Sequence, residues 1–275
     1  MKPMKNWILC FCLGICGQVL AQTGNATGYE IRVSLNAYQN QYLYLAYHYG
    51  KTKALADSAQ VQANGTAVFK GNKPLPGGIY IMVSPKKEFL FELLVDKEQK
   101  FSVQADTARL HDIKFTGSSD NNEFLAYTGF IQTRGKEIFA LQKQLAGAPS
   151  KKDSLALQQQ ITQLNTAIQQ YRSNYISKSP ESFLSALFAA LQEPVIPPAA
   201  QHPKGVYDTA WAYQYFKDHY WDNISFSDER LVRTPFFEGR LERYFRNLVS
   251  PEPDSIKKEI DYMLLFARSS KDMYR

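Results

Sequence analysis

Between residues 29 and 116 apolar and polar positions alternate in short runs. Ile31-Arg32-Val33-Ser34-Leu35 has a period of two, and residues 42–47 follow it in part, which sets one face on a core and the other in water. Further runs lie at 57–63, 66–70, 79–83, 89–95, 100–104 and 113–116. Turn residues separate them, giving about eight strands at intervals of roughly ten residues. Asn64-Gly65, between two of these runs, predicts a type I′ hairpin, because both residues tolerate positive φ. The pattern is that of an antiparallel β-sandwich or partly open barrel over residues 29–117.

At Gly117-Ser118-Ser119-Asp120 the period changes. Ser119 or Asp120 is placed to cap a helix, and apolar residues then recur at Tyr127, Ile131, Ile138, Leu141 and Leu145. Gly147-Ala148-Pro149 ends this helix and Ser150 starts the next. There Leu157, Ile161, Leu164, Ile168, Tyr171 and Tyr175 are spaced 4, 3, 4, 3 and 4, lining one stripe. Residues 118–178 thus predict a helical hairpin, whose stripe is covered either by the neighbouring helix or by a second copy in a homodimer. Residues 179–275 read as an all-helical domain. A short helix over 180–191 is capped by Ser179 with Pro180 at its first position. A stiff connector with Pro194, Pro197, Pro198 and Pro203 follows, then helices over 207–221, 235–249 and 254–269. The expected class is therefore α+β, with an all-β first half and an all-helical second half.

The N-terminus carries a different signal. Lys2 and Lys5 precede an apolar stretch of about a dozen residues, and Val19-Leu20-Ala21 is a small-residue exit, which predicts a secretory signal peptide over 1–21 followed by a linker over 22–28. An uncleaved anchor is the alternative, as is lipidation of Cys16, although Ile15 is bulky for a lipid-attachment site. The expected product is an exported protein with no transmembrane span after cleavage, since no later segment approaches the ~20 apolar residues a span needs. All 3 cysteines of the chain, Cys10, Cys12 and Cys16, lie in this early segment. The mature chain is then expected to fold on its core without disulfides, in an oxidising compartment. The formal charge of +6 falls to +4 without Lys2 and Lys5. That is too small a charge for a nucleic-acid footprint.

Little catalytic chemistry is legible. His48, His111, His202 and His219 are scattered, with no second ligand at zinc spacing. A phosphate loop and a Gly-x-Ser-x-Gly elbow are both lacking. The reading is of no catalytic residue, no metal and no cofactor. Asn25, Asn64 and Asn223 head Asn-x-Ser/Thr triplets. Twelve aromatic residues fall between Tyr207 and Phe245. Trp211, Tyr215 and Trp221 among them form either an aromatic core between helices or a partner or ligand surface. Asp228-Glu229 with Arg230 and Arg233 forms either a charge network fixing an interhelix loop or an anchor for an anion or partner.

Asp57-Ser58 before Asn64-Gly65, Pro76-Gly77-Gly78-Ile79-Tyr80, and Phe115-Thr116-Gly117-Ser118 leading into Asn122-Glu123-Phe124 resemble the N-terminal domain of TlpA/ResA-like envelope thiol-disulfide interchange proteins of Gram-negative bacteria. Ser179-Pro180-Glu181-Ser182-Phe183, residues 213–220 and Arg230-Leu231-Val232-Arg233-Thr234-Pro235 resemble the second, uncharacterised domain of the same proteins. In that family a thioredoxin-like domain with a Cys-x-x-Cys pair follows and carries the redox chemistry. No position here corresponds to it, and the apolar period still running at Ile256, Ile260, Leu264 and Ala267 suggests truncation. The resemblance implies a non-catalytic region, in the periplasm or cell envelope, that positions, dimerises or docks a thioredoxin-like domain in cis or an envelope partner. The alternative is a free-standing binding protein for peptide or glycan, using the aromatic surface around Trp211 and Trp221.

Overall fold

The computed structural model of the chain describes residues 28–275 other than His111 and Pro149. The expected signal peptide, the linker up to residue 27, the three cysteines and the Asn25 triplet lie outside the described residues.

The first half is a sandwich of two four-stranded sheets. Its strands are β1 (Tyr29–Ser34), β2 (Tyr42–Tyr49), β3 (Thr52–Gln60), β4 (Thr66–Gly71), β5 (Gly78–Val83), β6 (Phe89–Val95), β7 (Lys100–Gln104) and β8 (Lys114–Thr116). One sheet has the order β4-β1-β7-β8 and the other β3-β2-β5-β6. The alternating residues meet between the sheets: Ile31, Val33, Leu43, Leu45, Phe69, Tyr80, Met82, Leu93 and Phe101 form one buried core. At ~25 cal/mol for each Å² of apolar surface removed from water, this core is the main force holding the half together. Five of the six strand pairings are antiparallel. β1 and β7 pair in parallel, β7 returning beside β1 after five intervening strands, four of which, β2, β3, β5 and β6, belong to the second sheet.

The Asn64-Gly65 hairpin needs correction. The turn is there: Gly65 donates to the Gln62 carbonyl at 2.9 Å and Gln62 to the Thr66 carbonyl at 2.9 Å. But only Gly65 has positive φ, at 77°, which is the geometry of a type I turn followed by a left-handed glycine and not of type I′. The flanking strands also part, β3 pairing with β2 and β4 with β1. Val61 is fully buried in the core just before the turn, so the segment arches between sheets. The hairpin is instead β2–β3, turning at Gly50 with φ 58°.

The second half holds α1 (Ser119–Ala146), α2 (Lys151–Lys178), α3 (Phe183–Ala190), α4 (Thr209–Asp218), α5 (Phe237–Asn247), α6 (Pro253–Ala267) and α7 (Lys271–Tyr274). No helix among the described residues is long and apolar enough to cross a membrane. Several caps differ from the expected ones. Ser118, not Ser119 or Asp120, accepts from the Asn121 amide at 3.2 Å. Ser182, not Ser179, caps α3 through the Ser185 amide at 3.0 Å, since Pro180 and Glu181 lie in the turn before it. The α5 helix starts after Phe236, two residues later than the expected start at 235, and has no side-chain cap. Ser150 caps α2 as expected, through the Asp153 amide.

A second core joins the halves. Ile79 of β5 and Leu94 of β6 turn away from the sandwich interior and pack with Phe124 and Tyr127 of α1, Phe183, Leu187 and Phe188 of α3, and Leu231. This is why β5 reads as a continuous apolar run, since both its faces are covered. The α1–α2 hairpin stands on this core by its lower end, where Tyr171 stacks on Phe130 at 4.8 Å and Tyr175 meets Phe188 at 5.3 Å. The α2 stripe is half-buried throughout, with α1 as its neighbour in the chain.

Candidate functional site

The five residues singled out by sequence fall in three different places. Arg230 and Arg233 lie on a 3-10 turn, Glu229–Arg233, pressed against the sandwich. Asp228 grips Arg230 bidentately at 2.7 and 2.6 Å, and Arg230 reaches Asp96, in the β6–β7 turn, at 2.8 Å. Its guanidinium lies 5.0 Å from the Phe183 ring centre. The bonds it donates to Asp228 push its pKa up, so it stays charged. Arg233 is 1% exposed. It donates from Nε to the Gly77 carbonyl at 2.7 Å and from Nη1 to Asp272 at 2.5 Å, with Glu229 at 3.4 Å. The predicted charge network therefore exists, and its other partners, Asp96, Gly77 and Asp272, come from remote parts of the chain. A buried guanidinium needs such partners, because an unpaired buried charge costs several kcal/mol or more.

A third arginine, Arg240, was not marked by any sequence pattern. It is 2% exposed on α5 and donates to the carbonyls of Ala190 and Gln192, each at 2.8 Å, and to that of Tyr220. Ala190 ends α3, and Tyr220 follows α4, so one cation answers the unsatisfied carbonyls of two helix ends. Burial pulls its pKa down, and its guanidinium lies over the Tyr220 ring at 4.6 Å.

Trp211 and Tyr215 stand on the outer side of α4 in a ladder of rings. His202 meets Trp211 at 4.4 Å, Trp211 meets Tyr215 at 5.2 Å and Tyr215 meets His219 at 4.2 Å, the ring planes of each pair tilted by 30–48°. His202 is itself buried. Its Nδ1 accepts from the Asp208 amide at 3.0 Å, so Nε2 carries the proton and donates to the Pro197 carbonyl at 3.0 Å. This pins the proline connector onto α4.

Trp221 lies apart from that ladder, in a cluster with Tyr220, Tyr244 and Phe226. It lines a groove of about 820 Å³ bounded by α4, α5 and α6. Across the groove Tyr262 and Phe266 of α6 pack edge to face at 4.8 Å and remain about half exposed. Lys217 holds Glu259 at 2.8 Å, and the Tyr244 hydroxyl donates to the same carboxylate at 2.9 Å. Burial and then Glu259 push the Tyr244 hydroxyl up. Burial raises Glu259, but the bonds from Lys217 and Tyr244 outweigh it and hold the carboxyl below its ordinary value. Aromatic walls with a pre-neutralised polar base suit an amphipathic ligand. Sequence reasoning missed Lys217, Tyr244, Glu259, Tyr262 and Phe266, because their approach depends on how three helices pack.

Among the described residues no group of three His, Cys, Asp or Glu side chains is placed to hold a metal. Comparison with curated proteins and with solved structures returns no match. Residues 29–124, the sandwich and the first turns of α1, match the family model for a domain of unknown function, DUF4369. Residues 156–275, from within α2 onward, match that of a second domain of unknown function, DUF5106.

Proposed function

We propose that the chain is a non-catalytic module of an exported envelope protein, which positions, dimerises or docks a thioredoxin-like thiol-disulfide domain and helps bind its partner. The observation that carries this reading is the clasp of the helical half on the sandwich, Arg230 on Asp96 and Arg233 on the Gly77 carbonyl. It joins the two halves by buried charge-assisted bonds and a shared core, so they act as one rigid support, as a positioning element requires. The motifs resembling thiol-disulfide interchange proteins supply the identity of what is supported. Reading the gene past codon 275 and its neighbours tests the proposal. A Cys-x-x-Cys domain in frame or encoded alongside is expected, and an intact stop with no such gene nearby overturns it. The isolated chain should reduce insulin no faster than buffer.

A second reading is favoured by the groove beside Trp221: a binding protein for peptide or glycan. Tryptophan fluorescence titrated with peptidoglycan fragments and oligosaccharides tests it, and a flat response to both counts against it. Within this reading Trp221 is the contact residue, while Trp211 and Tyr215 are engaged with each other and with the two histidines.

A further inference from the structure

The sandwich is closed on one side and open on the other. On the closed side the terminal strands β3 and β4 are joined by the Asn64-Gly65 arch. On the open side β6 and β8 are both terminal and unpaired with each other. Between them lies a groove of about 790 Å³, with Phe91 and Phe115 from the strands, Ile113 just before β8, and Phe124, Thr128 and Gly129 from α1.

The outer edge of β6 is half used. Asn121 of α1, fully buried, donates from Nδ2 to the Leu94 carbonyl and accepts at Oδ1 from the Leu94 amide, both at 2.8 Å. A side-chain amide thus pairs with Leu94 as a neighbouring strand would. It also fixes the direction of the edge. Leu94 points its backbone groups away from β5, and in an antiparallel ladder that direction alternates, so Glu92, opposite Ile81, points its N–H and C=O the same way. Among the described residues nothing does for Glu92 what Asn121 does for Leu94. Leu125 and Thr128, one and two turns further along α1, carry no amide and wall the groove instead.

We propose that the β6 edge at Leu90–Glu92 is the docking site of an extended peptide segment from a partner protein. The segment adds a strand to the second sheet, with alternate side chains entering the groove. Three observations select this occupant. The free groups are one backbone donor and one backbone acceptor at strand spacing, which any extended peptide satisfies. The site continues an existing interface, since Phe124 belongs both to the groove and to the core joining the halves. At its far end Arg134 is paired with Glu137 at 2.7 Å, which leaves Lys136 as the unpaired charge there. Lys136, exposed one turn beyond Gln132, has no carboxylate partner among the described residues and would meet an acidic side chain on the segment. A second copy would have to bring a whole sheet to an edge that α1 already flanks, whereas a single strand fits beside it.

The test uses a capped hexapeptide of alternating valine and threonine with an N-terminal glutamate, titrated calorimetrically into the intact chain. Two further peptides carry N-methyl groups on alternate residues, one for each register. Saturable binding below ~1 mM is expected for the plain peptide. One N-methyl register should bind like it and the other not at all, and amide exchange at Glu92 should slow. Glu92→Pro removes the outward donor at an edge position, where proline is tolerated, and should weaken binding ~10-fold. Gly129→Leu keeps the fold testable, because a Cβ there meets nothing within 4 Å and leucine favours the helix. It should leave the melting temperature unchanged or higher and abolish binding by filling the groove. No binding of the plain peptide, equal binding of both N-methyl registers, or binding unmoved by Gly129→Leu would each overturn the proposal. A dimer in sedimentation that Gly129→Leu dissolves would assign the edge to self-association and overturn it equally.

Discussion

The Nε of Arg233 donates to the carbonyl of Gly77 at 2.7 Å, across 156 positions of sequence. The bond ties the helical half to a loop of the sandwich through a guanidinium that is itself buried. On the next residue, a Cβ added to Gly78 would lie 2.5 Å from the Cβ of Arg233. The glycine pair in Pro76-Gly77-Gly78 is thus required by close approach of another chain segment, since neither glycine has positive φ.

Gly78→Ala should therefore destabilise the protein as an overpacked core does, by about 1–3 kcal/mol. The effect should appear at the interface and spare the sandwich interior. In urea unfolding the midpoint should fall. The backbone amides of β1 and β7, remote from Gly78, should retain their relative order of exchange. A Gly78→Ala variant of unchanged midpoint would mean that the clasp is loose.

Arg240→Met should cost about 3 kcal/mol, because the carbonyls of Ala190, Gln192 and Tyr220 lose their donor, those of Ala190 and Tyr220 while remaining buried. Arg240→Lys should recover only part of this, as one ammonium cannot copy the planar fork. Denaturant midpoints for the two variants and the parent check the order. A methionine variant as stable as the parent would show that water reaches these helix ends.

Much of the sandwich was legible because period-two alternation is a local consequence of having one buried face. Ile31, Val33, Phe101 and Val103 all lie where that rule puts them. The arch at Asn64-Gly65 was not, because turn chemistry specifies a reversal of the chain and says nothing of which sheet the next strand joins. Arg230 and Arg233 were visible as charges near Asp228 and Glu229. Their decisive partners Gly77 and Asp272 are set by tertiary packing. Asn121 and Glu98 show the same limit. Glu98 accepts from the Ser119 and Asp120 amides at 3.1 and 3.2 Å, capping α1 from the other half of the molecule. In the sequence it is one charge in a turn.

Glu259 gives a pH signature. Its carboxyl is held below its ordinary value in the folded chain once the bonds from Lys217 and Tyr244 have outweighed burial. A depressed folded pKa stabilises fully above the unfolded value and is lost as pH falls through the folded one. The stability difference between the parent and Glu259→Gln should therefore be present near neutral pH and shrink as the pH drops below the ordinary glutamate range of about 4.3. Unfolding free energies of both proteins over an acid series check it. A difference that grows on acidification would contradict the assignment.

The long hairpin should be the least uniform part of the molecule in stability. α1 and α2 each have 28 residues, about 42 Å at 1.5 Å per residue. The buried residues of α1 are Asn121, Phe124 and Tyr127, all within its first nine positions, and no residue of α2 is fully buried. At the base, Tyr127, Tyr171 and Tyr175 pack on Phe188. Toward the tip each helix has mainly the other to pack on, and Phe139 is 70% exposed. Isolated helices gain little from propensity alone, so the tip depends on a half-buried stripe. Amide exchange should accordingly quicken along α2 from Tyr175 back to Leu155, in steps that follow distance from Phe188. Phe188→Ala should cost about 3–5 kcal/mol and speed exchange along the whole hairpin, whereas Leu157→Ala should speed it only near the tip. Equal protection at both ends of α2 would require the upper stripe to be covered in solution by something beyond α1.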